Sequence, residues 1–195
     1  MNALPLIGSL GAGRMGRGIA HAFAFAGHEV VLIDAKARSA REAETLRGEA
    51  LDEIRASLAA LADAGAFDAR DIDAIVSRVR FVPRDGAAAA LPGIDVLFEG
   101  VPETLEAKRA AFEFAAPHLR ADAIVASTTS TMVSTELARL VPRPERFLNC
   151  HWLNPAYLIP LVELSPHEVT DPAVTARMKA ILEAIGKKPV VCKAT

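Results

Sequence analysis

The stretch LIGSLGAGRMGRGIAHAFAFAGHEVVLID, residues 6–34, contains the pattern that decides the fold. A short apolar run leads through a glycine-rich turn into an alanine-rich helical segment, and a second apolar run closes the stretch. Gly27 follows the helical segment, where glycine commonly ends a helix in a left-handed conformation. This order of strand, helix and strand predicts a βαβ unit with two parallel strands.

The glycine-rich turn has the sequence GAGRMG at residues 11–16, which is a GxGxxG motif. Gly11 permits the tight turn, Gly13 lets the backbone approach a pyrophosphate, and Gly16 allows close packing of helix on strand. The free N–H groups at the helix N-terminus face the phosphates. Because the motif follows a strand and opens a helix, it predicts a dinucleotide site that also includes Arg14 and Met15.

The second apolar run ends in Asp34, eighteen residues after Gly16. A carboxylate at this position accepts hydrogen bonds from the adenosine ribose hydroxyls and repels a 2′-phosphate. Asp34 therefore favours NAD over NADP, and the nearby Lys36 and Arg38 weaken that preference. The alternative for Asp34 is a solvated carboxylate at the end of a strand.

The rest of the chain continues to alternate between apolar runs and helical patterns. Helices are predicted at about 36–64, 68–79, 103–119, 134–140 and 171–187, and strands at 79–82, 93–100, 122–128, 146–152, 158–164 and 188–192. This alternation predicts an α/β fold, a Rossmann-type doubly wound sheet that is mostly parallel. The connection from His151 to Leu158 is too short for a helical crossover, so strand 158–164 is predicted to run antiparallel near the C-terminal end.

Composition excludes several classes of partner. The 195 residues are 51% hydrophobic and 24% charged with a net charge of −2, which gives no electrostatic reason to expect nucleic acid or an anionic membrane. No apolar run is long enough to span a bilayer, and the N-terminus lacks a signal-peptide pattern, so we expect a cytoplasmic protein. Cys150 and Cys192 lie in apolar, strand-like stretches without metal-ligand spacing, and we expect two buried free thiols and no metal site.

Polar side chains follow three of the predicted strands. Ligands of open α/β sheets bind beyond the carboxyl ends of the strands, so these side chains are predicted to share one edge. They are Glu103 and Lys108 after strand 93–100, the hydroxyl run 127–131 with Ser130 after strand 122–128, and His151 and Asn154 after strand 146–152. Their common location predicts a functional site.

Each of these side chains also has a structural explanation, which the sequence alone leaves open. A carboxylate in a first turn complements the helix dipole, helix lysines are often solvated, hydroxyls cap loops, and Asn-Pro starts turns. These explanations apply in turn to Glu103, Lys108, Ser130 and Asn154. His151 is alternatively a core histidine and Glu163 a solvent-facing strand residue.

His151 and Glu163 are twelve residues apart, on the two strands predicted to pair antiparallel. If the hairpin turns around Tyr157, the two side chains lie close to each other across the ladder. A carboxylate beside an imidazole fixes its tautomer, which makes a general base beside a hydride acceptor. Ser130 and Asn154 are then placed to hold the substrate oxygen.

With these residues the chain resembles the 3-hydroxyacyl-CoA dehydrogenase family over essentially its whole length, as that family's N-terminal NAD-binding domain. The resemblance rests on the motifs GAGRMGRGIA, VVLID, EGVPETLEAK, STTST and, most specifically, HWLNPAYLIPLVEL. It implies NAD as the cofactor. It also implies a catalytic base at His151 with its partner at Glu163, substrate and cofactor contacts at Ser130 and Asn154, and NAD contacts at Glu103 and Lys108.

The chain departs from the family pattern in several places. Thr128 stands where members usually have asparagine, Leu153 replaces the second of two aromatics, and Pro160 replaces a common lysine. No residue in the long helical stretch securely matches the family's serine and lysine that contact CoA. The segment NPAYLIPLVELSP is also similar to sequences of the lambda-crystallin/gulonate and carnitine dehydrogenase branches. The substrate is therefore expected to be a 3-hydroxyacyl-CoA or a non-CoA 3-hydroxy acid. The third hypothesis is that the protein binds NAD without catalysing a reaction.

Domain organisation follows from the same resemblance. Family members continue into a helical C-terminal domain that closes the substrate cleft and usually forms the dimer. We therefore expect residues 1–195 to be the NAD-binding domain alone, and a homodimer only where the helical domain is present. We also expect these residues alone to bind NAD and to turn substrate over slowly.

Overall fold

A computed structural model describes residues 4–192, and within that range eight strands form a single sheet. The strands are β1 (Ile7–Leu10), β2 (Val30–Ile33), β3 (Val79–Val82), β4 (Val96–Glu99), β5 (Ile124–Ser127), β6 (Phe147–Trp152), β7 (Leu161–Ser165) and β8 (Lys188–Val191). Their order across the sheet is β3-β2-β1-β4-β5-β6-β7-β8. Every neighbouring pair is parallel except β6 and β7, which confirms the predicted Rossmann-type sheet and its antiparallel strand.

The same residues form seven α-helices and several short 3₁₀ turns. The helices are α1 (Arg14–Phe25), α2 (Ala40–Asp63), α3 (Ile72–Val76), α4 (Ala87–Ala90), α5 (Leu105–Ala115), α6 (Ser134–Ala138) and α7 (Pro172–Ala184). In the described part of the chain no helix is both long and apolar enough to cross a membrane.

Two apolar clusters cover the two faces of the sheet. One cluster packs α1 against the sheet and centres on Phe23, Phe98 and Trp152, whose rings lie within about 6 Å of one another. The other lies on the opposite face and includes Leu10 and Leu97. Strands β1, β2 and β4 are buried along their whole length, as expected when helices cover both faces.

The long helix α2 begins at Ala40, later than the predicted start at about residue 36. Ser39 and Glu42 form a capping box, in which the Ser39 hydroxyl accepts from the Glu42 N–H and the Glu42 carboxylate accepts from the Ser39 N–H. The box fixes the start because it satisfies two otherwise free N–H donors at that point. The sequence SARE at residues 39–42 carries this signal, which the helical periodicity alone does not show.

The prediction of two buried thiols is confirmed for Cys150 and wrong for Cys192. Cys150 on β6 is fully buried and unpaired, as expected. Cys192 follows β8 and is only partly buried. The difference arises because β8 is an edge strand, and Val190 and Val191 beside Cys192 are about half exposed. No group of three or more His, Cys, Asp or Glu able to hold a metal occurs among residues 4–192.

Candidate active site

The glycine-rich turn brings β1, the start of α1 and the end of β4 together. Gly11 has φ 112°, and a Cβ there would lie 2.8 Å from the Gly100 carbonyl oxygen. A Cβ on Gly16 would lie 1.9 Å from the Gly11 carbonyl oxygen, whereas a Cβ on Gly13 would meet nothing within 4 Å. Gly13 is the N-cap of α1 and supplies no side-chain cap. The helix therefore presents free N–H groups to open space, which suits a phosphate.

A pocket of about 570 Å³ lies in front of this turn. Its lining joins the glycine turn to the end of β2 and to the loop after β4, which is where a doubly wound sheet binds a dinucleotide. The lining includes Gly11, Gly13, Arg14, Arg17, Asp34, Lys36, Arg38 and Glu103. Of the predicted cofactor residues, Gly11, Gly13, Arg14, Asp34 and Glu103 are thus brought together. Gly16 is buried in α1, and Met15 packs against the apolar core.

Asp34 is held in place by its neighbours and is only 3% exposed. Its carboxylate accepts a hydrogen bond from the Lys36 N–H at 3.0 Å and forms an ion pair with the Arg38 guanidinium at 2.7 Å. A freely solvated carboxylate is therefore excluded. Arg38 also places a positive charge beside the group expected to select NAD.

Glu103 binds the hydroxyl loop that follows β5. Its carboxylate accepts from the Ser130 N–H at 2.5 Å, from the Ser130 hydroxyl at 2.9 Å, and from the hydroxyls of Thr129 and Thr131 at 3.1 Å each. The Ser130 backbone donor and then the hydroxyls lower the pKa of Glu103 from 4.5 to about 2. Thr104 is the N-cap of α5, so Glu103 precedes the helix and joins two loops of the site.

Lys108 lies beneath these loops and is 1% exposed, so the alternative of a solvated helix lysine is wrong. Its ammonium donates to Glu99 at 2.8 Å and to the Val101 carbonyl at 3.3 Å. The Glu99 carboxylate, which is fully buried, also accepts from the Val101 N–H and from the Ser127 hydroxyl. This network ties the ends of β4 and β5 to α5. Contact between Lys108 and NAD stays a prediction, and the geometry favours support of the loop after β4.

His151 and Glu163 face each other across the β6–β7 ladder, as the spacing predicts. Nδ1 of His151 lies 2.8 Å from a carboxylate oxygen of Glu163, and both side chains are partly exposed. A carboxylate accepts from the Nδ1–H, so the ring presents Nε2 as a proton acceptor. Because β6 is parallel to β5 and β4, His151 stands at the same carboxyl edge as the glycine turn.

Asn154 is exposed and joined to Pro155 by a cis peptide bond. It lines a second pocket, between α1 and α2, together with Arg14, Arg17 and Tyr157. The Ser130 hydroxyl is bonded to Glu103, whereas Asn154 lies exposed in the turn after β6. Their shared hold on a substrate oxygen stays a prediction.

Two buried groups of the site were missed by sequence reasoning. Glu99 was visible as a carboxylate inside the apolar run VLFEG, a position that requires a partner. Lys187, 6% exposed, donates to the carbonyls of Ala156 and Ile159 and so holds the loop that follows His151. Its signal is weaker, because a lysine after the end of a helix is ordinarily exposed to solvent.

The sequence as a whole matches a described family. The profile of "3-hydroxyacyl-CoA dehydrogenase, NAD binding domain" matches residues 6–195. A "5-formyl-3-hydroxy-2-methylpyridine 4-carboxylate 5-dehydrogenase" from Mesorhizobium japonicum is 33% identical over 96% of the chain and 57% of its own length. A "3-hydroxybutyryl-CoA dehydrogenase" from Bradyrhizobium diazoefficiens is 33% identical over 95% of the chain and 60% of its own length.

Solved structures show the same likeness. The (S)-3-hydroxybutyryl-CoA dehydrogenase of Ralstonia eutropha superposes with a TM-score of 0.89 at 26% identity, over 99% of this chain and 65% of that one. The 3-hydroxybutyryl-CoA dehydrogenase of Escherichia coli gives a TM-score of 0.88 at 29% identity, over 100% of this chain and 39% of that one. The chain thus spans about 60% of the curated relatives reported above.

Proposed function

Because the chain belongs to the 3-hydroxyacyl-CoA dehydrogenase family, as its NAD-binding domain, we propose that it supplies the cofactor site and the acid–base pair of an NAD-dependent dehydrogenase. The reaction is the oxidation of a 3-hydroxyacyl-CoA to the 3-ketoacyl-CoA, or its reverse. We further propose that residues 1–195 form a single domain, which is this NAD-binding domain.

The His151–Glu163 pair is the observation that carries this proposal. It stands at the carboxyl edge of the sheet that also carries the glycine turn, with Nδ1 bonded to the carboxylate at 2.8 Å. Nε2 of His151 takes the proton of the substrate hydroxyl, and Glu163 stabilises the imidazolium that results. When bound, NAD accepts the hydride. Glu103 holds the loop of Ser130 in place beside the pair.

The cofactor residues fit NAD on their own geometry. The uncapped start of α1 offers N–H groups to a pyrophosphate, and Gly13 leaves room for it. Asp34 lines the pocket with its carboxylate held in place, where it accepts hydrogen bonds from the ribose hydroxyls. Arg14 lines the same pocket and supplies positive charge for the phosphates.

A non-CoA 3-hydroxy acid is the second candidate substrate, and the charge pattern of α2 favours it. Arg47 and Arg55 are paired with Glu44 and Asp73 at 2.8 and 2.5 Å, and Arg17 of α1 is paired with Glu53. These pairs leave little uncompensated positive charge along the helix for CoA phosphates. A relative at 33% identity, named as a dehydrogenase of a pyridine carboxylate, is consistent with such a substrate.

A single-turnover experiment tests both candidates. The chain, in excess over NADH, is mixed with acetoacetyl-CoA, or with NAD and 3-hydroxybutyryl-CoA, L-gulonate or carnitine, and absorbance is followed at 340 nm. We expect a slow change with one substrate class that disappears in His151→Gln. No change with any substrate, or an equal change in His151→Gln, contradicts the proposal.

A further inference from the structure

The peptide group between Thr129 and Ser130 is held at both ends. Its N–H, on Ser130, donates to the Glu103 carboxylate at 2.5 Å. Its C=O, on Thr129, accepts a hydrogen bond from Nδ2 of Asn149 at 3.1 Å. Because the C=O and N–H of a trans peptide point in opposite directions, Glu103 and Asn149 hold this peptide from two sides. Both side chains therefore set the orientation of Ser130.

Asn149 belongs to the strand that carries His151. It lies two residues before His151 on β6, and side chains two apart on a strand leave the same face of the sheet. Cys150 and Trp152, which alternate with them, belong to the apolar cluster that packs on α1 at the other face. The hydrogen bond from Asn149 thus joins the loop of Ser130 to the strand and the face of His151.

Stability does not account for an asparagine at this position. Asn149 is 8% exposed, and its Oδ1 is buried without a hydrogen-bond partner among residues 4–192. A buried acceptor without a partner costs free energy, which an apolar side chain of the same size would avoid. Only Nδ2 is able to donate to the Thr129 carbonyl, so the orientation of the amide is fixed. The contribution of the side chain is therefore its hold on that carbonyl.

His151 and Ser130 are the two groups expected beside the reacting oxygen of the substrate. Nε2 of His151 takes the proton of that oxygen, and the Ser130 hydroxyl is predicted to hold it by a hydrogen bond. A displacement of about 1 Å between such groups costs up to about 10²-fold in rate. Glu103 attaches the loop of Ser130 to the cofactor pocket, which Glu103 lines. The bond from Asn149 attaches the same loop to β6.

We propose that Asn149 is a positioning residue, which sets the place of the Ser130 hydroxyl relative to Nε2 of His151 by holding the Thr129 carbonyl. This inference rests on the proposed function and on the predicted contact of Ser130 with the substrate oxygen. Asn149 acts through Ser130 and does not itself contact the substrate. Its effect is therefore on the rate of hydride transfer, with little effect on cofactor binding.

Single-turnover hydride transfer in Asn149→Leu, followed at 340 nm with the substrate that reacts best, tests the inference. We expect transfer to slow about tenfold. The Kd of NADH stays within about threefold, because Glu103 keeps its bonds to the loop, and the melting temperature stays within about 3 °C, because removal of the unpartnered oxygen offsets the lost hydrogen bond. Cys150→Ala, on the other face of β6, is the control and is expected to lower the melting temperature while transfer is unchanged. Unslowed transfer in Asn149→Leu overturns the inference.

A second background separates positioning from a general structural effect. If Asn149 acts through the Ser130 hydroxyl, its replacement matters little once that hydroxyl is gone. We therefore expect Asn149→Leu to slow transfer by less than about twofold when it is added to Ser130→Ala. A merely structural role slows transfer by the same factor in both backgrounds, and that result contradicts the inference.

Hydrogen exchange of the Ser130 amide tests the same hold without any substrate. In Asn149→Leu the Thr129–Ser130 peptide is held by Glu103 alone, so we expect its N–H to exchange roughly fivefold faster while the amides of β6 exchange as before. Unchanged exchange at Ser130 contradicts the inference. Transfer that is lost in His151→Gln but not slowed in Asn149→Leu contradicts this inference alone and leaves the proposed function standing.

Discussion

At the scale of single residues, one carboxylate holds the loops of the site together. Glu103 accepts hydrogen bonds from four donors of residues 129–131, and no other side chain in the described chain bonds that loop so densely. The sequence placed Glu103 and Ser130 at one edge of the sheet. It did not show that one would bind the other, because a contact between loops depends on side-chain directions that no local pattern encodes.

The Glu103→Gln substitution tests this clamp. We expect it to raise the Kd of NADH about tenfold, because hydrogen bonds to a charged acceptor are lost and the loop loosens. Glu106→Gln, on the first turn of α5 beside it, is the matched control and is expected to leave the Kd unchanged. Fluorescence titration with NADH measures both.

The pH dependence of the same clamp has a defined sign. The folded pKa of Glu103, about 2, lies below its ordinary 4.5, so the clamp is complete above about pH 4.5 and is lost as the pH falls towards 2. The ratio of NADH Kd values between Glu103→Gln and the unsubstituted protein is therefore expected to stay constant from pH 8 to 5. A ratio that falls by half within that range would show that the carboxylate is not held in this way.

At the scale of elements, two glycines at the start of α1 have different roles. Gly13 leaves room for the cofactor, and Gly16 allows close packing on the turn. Gly13→Ala adds a methyl group to open space, so we expect an unchanged melting temperature and at least a tenfold loss of NADH affinity, because the methyl group occupies the pyrophosphate position. Gly16→Ala places Cβ against the Gly11 carbonyl, and we expect a loss of about 1–3 kcal/mol or more in the free energy of unfolding. Thermal melts and NADH titration of the pair check this, and weaker NADH binding confined to Gly16→Ala would count against the assignment.

The start of α2 gives a test that concerns stability alone. Ser39→Ala removes one half of the capping box and is expected to cost about 0.5–2 kcal/mol of unfolding free energy. Thr45→Ala, whose hydroxyl bonds only within the same helix, is the control and is expected to be near neutral. Urea titration measures both, and equal losses would mean that the cap contributes nothing.

Helices and strands with a regular apolar pattern were predictable from the sequence, whereas the partners of individual side chains were less so. The strands and their antiparallel exception follow from apolar runs and loop lengths, and the facing positions of His151 and Glu163 follow from the hairpin register. Lys108 was expected to touch the cofactor or solvent, yet its ammonium pairs with Glu99 in the core. Sequence spacing fixed its place on α5, whereas its partner depends on how closely α5 packs on β4.

At the scale of the whole molecule, five parallel strands place residues of the site at one edge of the sheet. β1 brings the glycine turn, β2 brings Asp34, β4 and β5 bring the loops of Glu103 and Ser130, and β6 brings His151. The parallel order makes their carboxyl ends coincide, while the antiparallel β7 places Glu163 beside His151. The positions of the cofactor site and the base thus follow from a single topology.

The measurement that tests the central claim most directly is single-turnover hydride transfer in His151→Gln, followed at 340 nm with the substrate that reacts best. His118→Gln, the same substitution in the 3₁₀ turn after α5, is the matched control. We predict that His151→Gln binds NADH within about twofold of the unsubstituted protein while transfer slows by roughly 10²–10⁴. Transfer within a few fold of the His118→Gln control, with NADH bound normally, would contradict the assignment of His151 as the proton acceptor.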